Sequence, residues 1–188
     1  MYDNGHGVPK DYTQAVSWYR KAAEQGFSGA QFALGYMYLF GLGVPRDYEQ
    51  SYSWYRKAAE QGDVLAQVAL GRCFLNGKGV TKDYQQALRW FTLAAAKGNP
   101  SGYFYLGVIY YNGFGVPKDY AKAFQWSMLA ALQGDAAAQN NVGYDYEKGL
   151  GVTKDIEKAK AWYRASAAQG FAHAAEKLRR LEQNTQAQ

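Results

Sequence analysis

The stretch DVLAQVALGRCFLNGKGVTKDYQQALRWFTLAAAKG, residues 63–98, decides the fold. It holds two apolar-periodic segments, joined by Gly77-Lys78-Gly79-Val80 and closed by Gly98. Asp83 stands just before the second segment. A carboxylate there accepts backbone N–H groups that the start of a helix leaves unbonded. From that point Tyr84, Ala87, Trp90 and Ala94 recur at helical spacing, and Gly98 supplies a left-handed stop. In the first segment Ala66, Leu70 and Phe74 share one helical face, with Gly71 inside the helix. The stretch therefore reads as helix A, a reversing loop, and helix B.

Working outward, the same pattern returns at a fixed step. Trp18, Trp54, Trp90, Trp126 and Trp162 are each 36 residues apart. So are Asp11, Asp47, Asp83, Asp119 and Asp155, the Gly-x-Gly pairs from Gly5/Gly7 to Gly149/Gly151, and Gly26 through Gly170. Gln14, Gln50 and Gln86 follow the cap Asp by three and resemble a capping box, which Lys122 and Lys158 interrupt in the last two copies. A mid-helix Gly costs ~1 kcal/mol against Ala. Its return at Gly35, Gly71, Gly107 and Gly143 predicts a helix contact too close for a β-carbon. No insertion breaks the register. The expected division is a partial first unit over 1–26, repeats over 27–62, 63–98, 99–134 and 135–170, and a closing helix and tail over 171–188, all in one continuous solenoid domain.

A lone hairpin of this kind cannot bury its apolar face, and stacking one on the next builds a continuous core. Ten helices are expected. In the last, over about residues 171–183, Arg179 and Glu182 replace the repeated Gly and Tyr, giving the polar outer face that ends a stack in water. At the other end Met1 and Tyr2 align with Met37 and Tyr38, late in helix A. The reading is a fragment of a longer array or a processed form. Its open N-terminal face is a candidate for weak self-association.

The pattern resembles the SEL-one-like repeat, a relative of the tetratricopeptide repeat. One copy reads Ala66, Leu70, Gly71, Phe74, Gly77, Gly79, Val80, Asp83, Ala87, Trp90, Ala94, Ala95 and Gly98. The resemblance covers the whole chain, with departures at Ser51, Gly102 and Ser166. It implies an all-α, right-handed α-solenoid of stacked antiparallel helix pairs that serves as an adaptor for protein or peptide partners, in a bacterium. A cysteine-rich subgroup, which carries a disulfide in each repeat, is linked to penicillin binding and β-lactamase activity. Cys73 is the single cysteine here, so hydrolysis of a cell-wall or β-lactam substrate stands as the disfavoured alternative.

Composition narrows the function classes. Apolar residues make up 48% and charged residues 20%, which marks a folded chain. One cysteine excludes an internal disulfide framework and a multi-cysteine metal site. The apolar runs fall short of a membrane span. Tyr2, Asp3 and Asn4 after Met1 do not read as a signal peptide, and the expected compartment is exported or cytoplasmic, with any targeting segment missing from this chain. The Gly-x-Gly loops lack the preceding strand of a dinucleotide site. His6 and His173 have no partner at metal-ligand spacing, and Cys73 aligns with Met37 and Ile109, so it reads as a small core residue. No catalytic, cofactor or metal residue is assigned. Net charge is +5, but Lys10, Arg46, Lys82, Lys118 and Lys154 each precede a cap Asp. They read as a solvated ridge, not a nucleic-acid track.

The variable positions carry the functional expectation. If helix A lines the concave wall, the inward row is Phe32, Tyr36 and Phe40; Val68, Arg72 and Asn76; Phe104, Val108, Tyr111 and Asn112; Asn140, Tyr144 and Lys148. His173 and Arg180 continue it. Exposed aromatics and Arg make good partner anchors. Changing Phe32, Tyr36, Arg72 and Phe104 together to Ala is expected to abolish partner capture without lowering the melting temperature. Trp90→Ala is expected to cost ~3–5 kcal/mol as a buried truncation. Asn141 and Asp145 stand apart, as polar residues in a row that elsewhere holds Ala33, Ala69, Tyr105, Met37, Cys73 and Ile109.

Overall fold

The computed structural model describes residues 11–186, and side chains as far as residue 183. His6, Lys10, the Gly5/Gly7 pair and the Met1–Tyr2 start lie outside the described residues. The chain divides into two compact units, Met1–Ala94 and Ala95–Gln188. Ten helices and no strand occur among the described residues. The first unit holds α1 (Tyr12–Glu24), α2 (Ser28–Phe40), α3 (Tyr48–Glu60), α4 (Val64–Asn76) and most of α5 (Tyr84–Ala96). The second holds α6 (Pro100–Asn112), α7 (Tyr120–Leu132), α8 (Ala136–Lys148), α9 (Ile156–Ala168) and α10 (Ala172–Gln186). Contacts run between consecutive helices: α1 to α2, α2 to α3 and α3 to α4 in one unit, and α6 through α10 in the other.

The caps form as the repeated Asp requires. Asp47 accepts from the N–H groups of Glu49 and Gln50 at 2.9 and 3.0 Å, and Asp119 from that of Lys122 at 2.9 Å. Where Lys replaces Gln, its ammonium reaches the cap carboxylate instead, at 3.5 Å for Lys122 and 3.3 Å for Lys158. The reversing loop is tied across its base. The N–H of the cap Asp donates to a carbonyl nine residues earlier, Asp47 to Tyr38 and Asp83 to Phe74, at 2.9 and 3.0 Å. Gly77 ends α4 at φ 69°. A β-carbon at Gly79 would collide with the carbonyl of Tyr48. These glycines serve close backbone packing.

The helix-A glycines meet what their recurrence predicts. A β-carbon at Gly35 would stand 2.7 Å from Tyr55 Cδ1, at Gly71 2.6 Å from Phe91 Cε1, and at Gly143 2.8 Å from Tyr163 Cδ1. Each ring lies on the helix B that follows, and Tyr55, Phe91 and Tyr163 are at most 2% exposed. They, not the tryptophans, are the large buried side chains of the repeat. This corrects the expectation for Trp90, which is half-buried, while Trp18 is 58% exposed. The reason is helical geometry. The residue after Trp faces the glycine within its own pair, whereas Trp lies on the seam toward the preceding pair. Trp54 packs against the buried cluster that includes Ala15, Leu34 and Met37, and Trp90 against the cluster that includes Ala58, Ala66 and Leu70.

A buried polar rung escaped the sequence reading. Gln31, Gln67 and Gln139 each donate from Nε2 to the carbonyl of Ala23, Ala59 and Ala131, the last turn of the preceding helix. Gln61 and Gln169 then donate to the side-chain oxygens of Gln31 and Gln139 at 2.7 and 2.8 Å. Cys73 is 4% exposed within the apolar cluster, and burial pushes its thiol up to about 11. It is a core residue.

Candidate functional site

In the first unit the expected row splits. Tyr36 and Phe40 are 43% and 54% exposed on α2, one helical turn apart, with ring centroids 4.6 Å apart. Arg72 and Asn76 are exposed on α4, the Asn76 amide donating to the Arg72 carbonyl at 3.0 Å. Val68 is buried and counts with the core. Phe32 is half-buried, its ring 5.6 Å from that of Tyr55.

In the second unit Phe104 is likewise half-buried, against Ala130, Ala138 and Val142. Truncating Phe32 and Phe104 therefore strips core packing. The four-residue alanine variant is expected to lose stability, contrary to the sequence reading.

Five other row residues meet at one place. Val108, Tyr111 and Asn112 from α6, with Asn140 and Tyr144 from α8, line a cavity of about 300 Å³. Gly107, Ser127 of α7, Asn141 and Asp145 of α8, and His173 and Lys177 of α10 complete its wall. Lys148 stays outside it, its ammonium 2.6 Å from Glu147.

The cavity has a local cause. Ser127 occupies the position of Tyr55, Phe91 and Tyr163, so no ring fills the space beside Gly107. The atoms nearest a β-carbon at Gly107 would be Ser127 Oγ at 2.7 Å and the backbone of Ala123 and Ser127 at 3.3 and 3.4 Å, where the other pairs place a ring. The sequence signal was present, as one Ser in an aromatic column, but the tryptophans drew attention to the neighbouring column.

The wall is polar where the other repeats are apolar. Asp145 replaces Met37, Cys73 and Ile109, and is itself only 4% exposed. Among the described residues, no hydrogen bond or ion pair reaches its carboxylate. Burial pushes it up to about 7, with the charge of Lys177 pulling weakly the other way. Asn140 is 7% exposed and its Oδ1 has no donor. An unmet buried acceptor costs on the order of 1–3 kcal/mol, and a charged one more. Lys177 lies over the rings of Tyr144 and Tyr163, 4.5 and 5.4 Å from their centroids. Burial holds its ammonium below the ordinary lysine range.

Next to the cavity, Glu147 is fully served. It accepts from Tyr163 at 3.0 Å and Arg180 at 2.8 Å, besides Lys148. Burial raises its pKa, but these partners outweigh burial and hold it below the ordinary range. Ser127, His173 and Asp145 share the cavity, and no hydrogen bond links them among the described residues. The mutual contacts that activate a nucleophile are not made.

Together these features define a helical-repeat protein of the all-α solenoid class, built from a frame that stays fixed and a wall that varies. The chain belongs to the Sel1 repeat family, whose pattern matches residues 1–27, 28–63, 64–99, 100–135 and 136–171. Sel1 repeat proteins are generally non-enzymatic scaffolds for protein interaction. Among solved structures it is similar to a Sel1 repeat protein from Oxalobacter formigenes, at 44% identity and TM-score 0.89, covering 95% of this chain and 73% of that one. It is similar also to a protective antigen of uropathogenic Escherichia coli with an SLR fold, at 42% identity and TM-score 0.85 over 94% of this chain. The chain spans 38% of that antigen's length. Cysteine-rich protein B of Helicobacter pylori shares 25% identity and a TM-score of 0.56, covering 71% of this chain and 96% of that one. No curated protein matches significantly.

Proposed function

We propose that the chain is a non-enzymatic scaffold that holds a peptide or partner domain against the variable helix-A positions. The observation that carries this reading is the Tyr36–Phe40 pair, two large rings left in solvent on a helix whose other face is fully packed. Aromatic side chains of this kind bury large area with few rotamers to freeze, which suits an anchor for a partner. Arg72 and Asn76 supply polar contacts on the next helix A. In the second unit Lys148, exposed beside the cavity, continues this row.

The test is selection of peptides from a displayed random library on the intact chain, followed by affinity measurement against a Tyr36→Ser, Phe40→Ser double variant. The expected result is a loss of about tenfold or more in affinity, with an unchanged melting temperature because both rings are exposed. Recovery of no peptide, or equal affinity for the double variant, overturns the assignment.

A further inference from the structure

The cavity in the second unit holds two opposite charges that do not meet. Asp145 presents a buried carboxylate to which, among the described residues, no hydrogen bond and no ion pair is made. Lys177 lines the same cavity from α10, over the rings of Tyr144 and Tyr163; among the described residues no carboxylate makes an ion pair with it, and the charges of Glu147 and Asp145 act on it only from a distance. Had the two served only as a structural pair, they would sit in contact, as Arg180 and Glu147 do at 2.8 Å next door. Between them lies space, and the space has a ring-shaped cause: Ser127 stands where the other repeats place Tyr or Phe against the helix-A glycine.

We propose that this cavity binds a free α-amino acid with an aromatic or large apolar side chain, its ammonium paired with Asp145, its carboxylate with Lys177, and its side chain beside Gly107. The ligand would restore in the second unit the packing that Phe91 gives Gly71 in the first, and would supply each stranded charge with its partner. Asn140 and Asn141 offer amides to the ligand's polar end. A purely cationic ligand leaves Lys177 unanswered and adds a like charge beside it. A purely anionic one meets Asp145. Only a zwitterion matches both walls. The site is separate from the Tyr36–Phe40 surface and stands or falls without it.

Titration calorimetry on the intact chain, at about pH 8 where the Asp145 carboxyl is ionised, tests this with three probes. L-phenylalanine carries both charges and the ring, 2-phenylethylamine lacks the carboxylate, and 3-phenylpropionate lacks the ammonium. Saturable binding of L-phenylalanine is expected, with each one-charge analogue weaker by about tenfold or more. Asp145→Asn and Lys177→Met should each weaken L-phenylalanine by a similar factor. Ser127→Phe should abolish binding, with a melting temperature at or above that of the parent confirming that it folds. No saturable binding of L-phenylalanine, or equal binding of either one-charge analogue, overturns the proposal. Binding of L-phenylalanine that Asp145→Asn and Lys177→Met leave unchanged overturns it as well.

Discussion

Asp145→Asn isolates the energetic consequence of a carboxylate buried without a partner. In the fold the carboxyl titrates at about 7, raised by desolvation, whereas an unfolded chain returns it to 3.8. The folded state thus holds the proton over a range where the unfolded state has released it. Stability must therefore fall as pH rises from about 4 to about 7, and level off above. Each pH step between the two values is worth about 1.4 kcal/mol, so the full span is on the order of 4 kcal/mol, more than half of it between pH 5 and pH 8. Asparagine keeps the shape and removes the titration. Urea unfolding of parent and variant at matched pH values gives the difference between them. That difference cancels groups common to both, including His173, Lys177, Tyr111 and Tyr144 on the same wall, and Glu147, Lys148 and Arg180 beside it. The variant should gain on the parent steadily as pH rises through this window. Parallel stability curves would show that water or a neighbour already satisfies the carboxylate, and the reasoning about the cavity would fail with it.

Two further outcomes test the repeat itself. Gly71→Ala should destabilise by about 1–3 kcal/mol although alanine is the better helix former, because its β-carbon enters the ring of Phe91; a rise in denaturant midpoint would contradict that packing. Phe91→Ala should cost about 3–5 kcal/mol and exceed Trp90→Ala, since Phe91 is fully buried and Trp90 only half; the reverse order in thermal or urea unfolding would restore the tryptophans to the core.

How much of this was legible beforehand can be judged from single positions. The 36-residue step, the Asp caps, the glycine stops and the tight contact at the helix-A glycines all follow from local rules. Each depends on one residue's backbone preference or on spacing along one helix, and a repeated sequence states such rules four or five times over. Asn141 and Asp145 were visible as polar intruders in an apolar column, yet their meaning was not. That required knowing that Ser127, 18 residues before Asp145, removes a ring from the same spot, and that Lys177 arrives from a third helix without touching either.

The sequence by itself determined that helix pairs would form and pack in order, because propensity, capping and periodicity act within a few neighbouring residues. Only the tertiary structure decided which face of helix B is buried. One step of about 100° around a helix separates Trp90 from Phe91, and packing against Gly71 is what places Phe91 inside and leaves Trp90 on the seam. It decided likewise that Phe32 and Phe104 pack while Tyr36 and Phe40 keep about half their surface in solvent, and that residues from α6, α7, α8 and α10 line one cavity with charged groups in its wall. Burial and enclosure are properties of what lies across the gap, and no single segment carries that information.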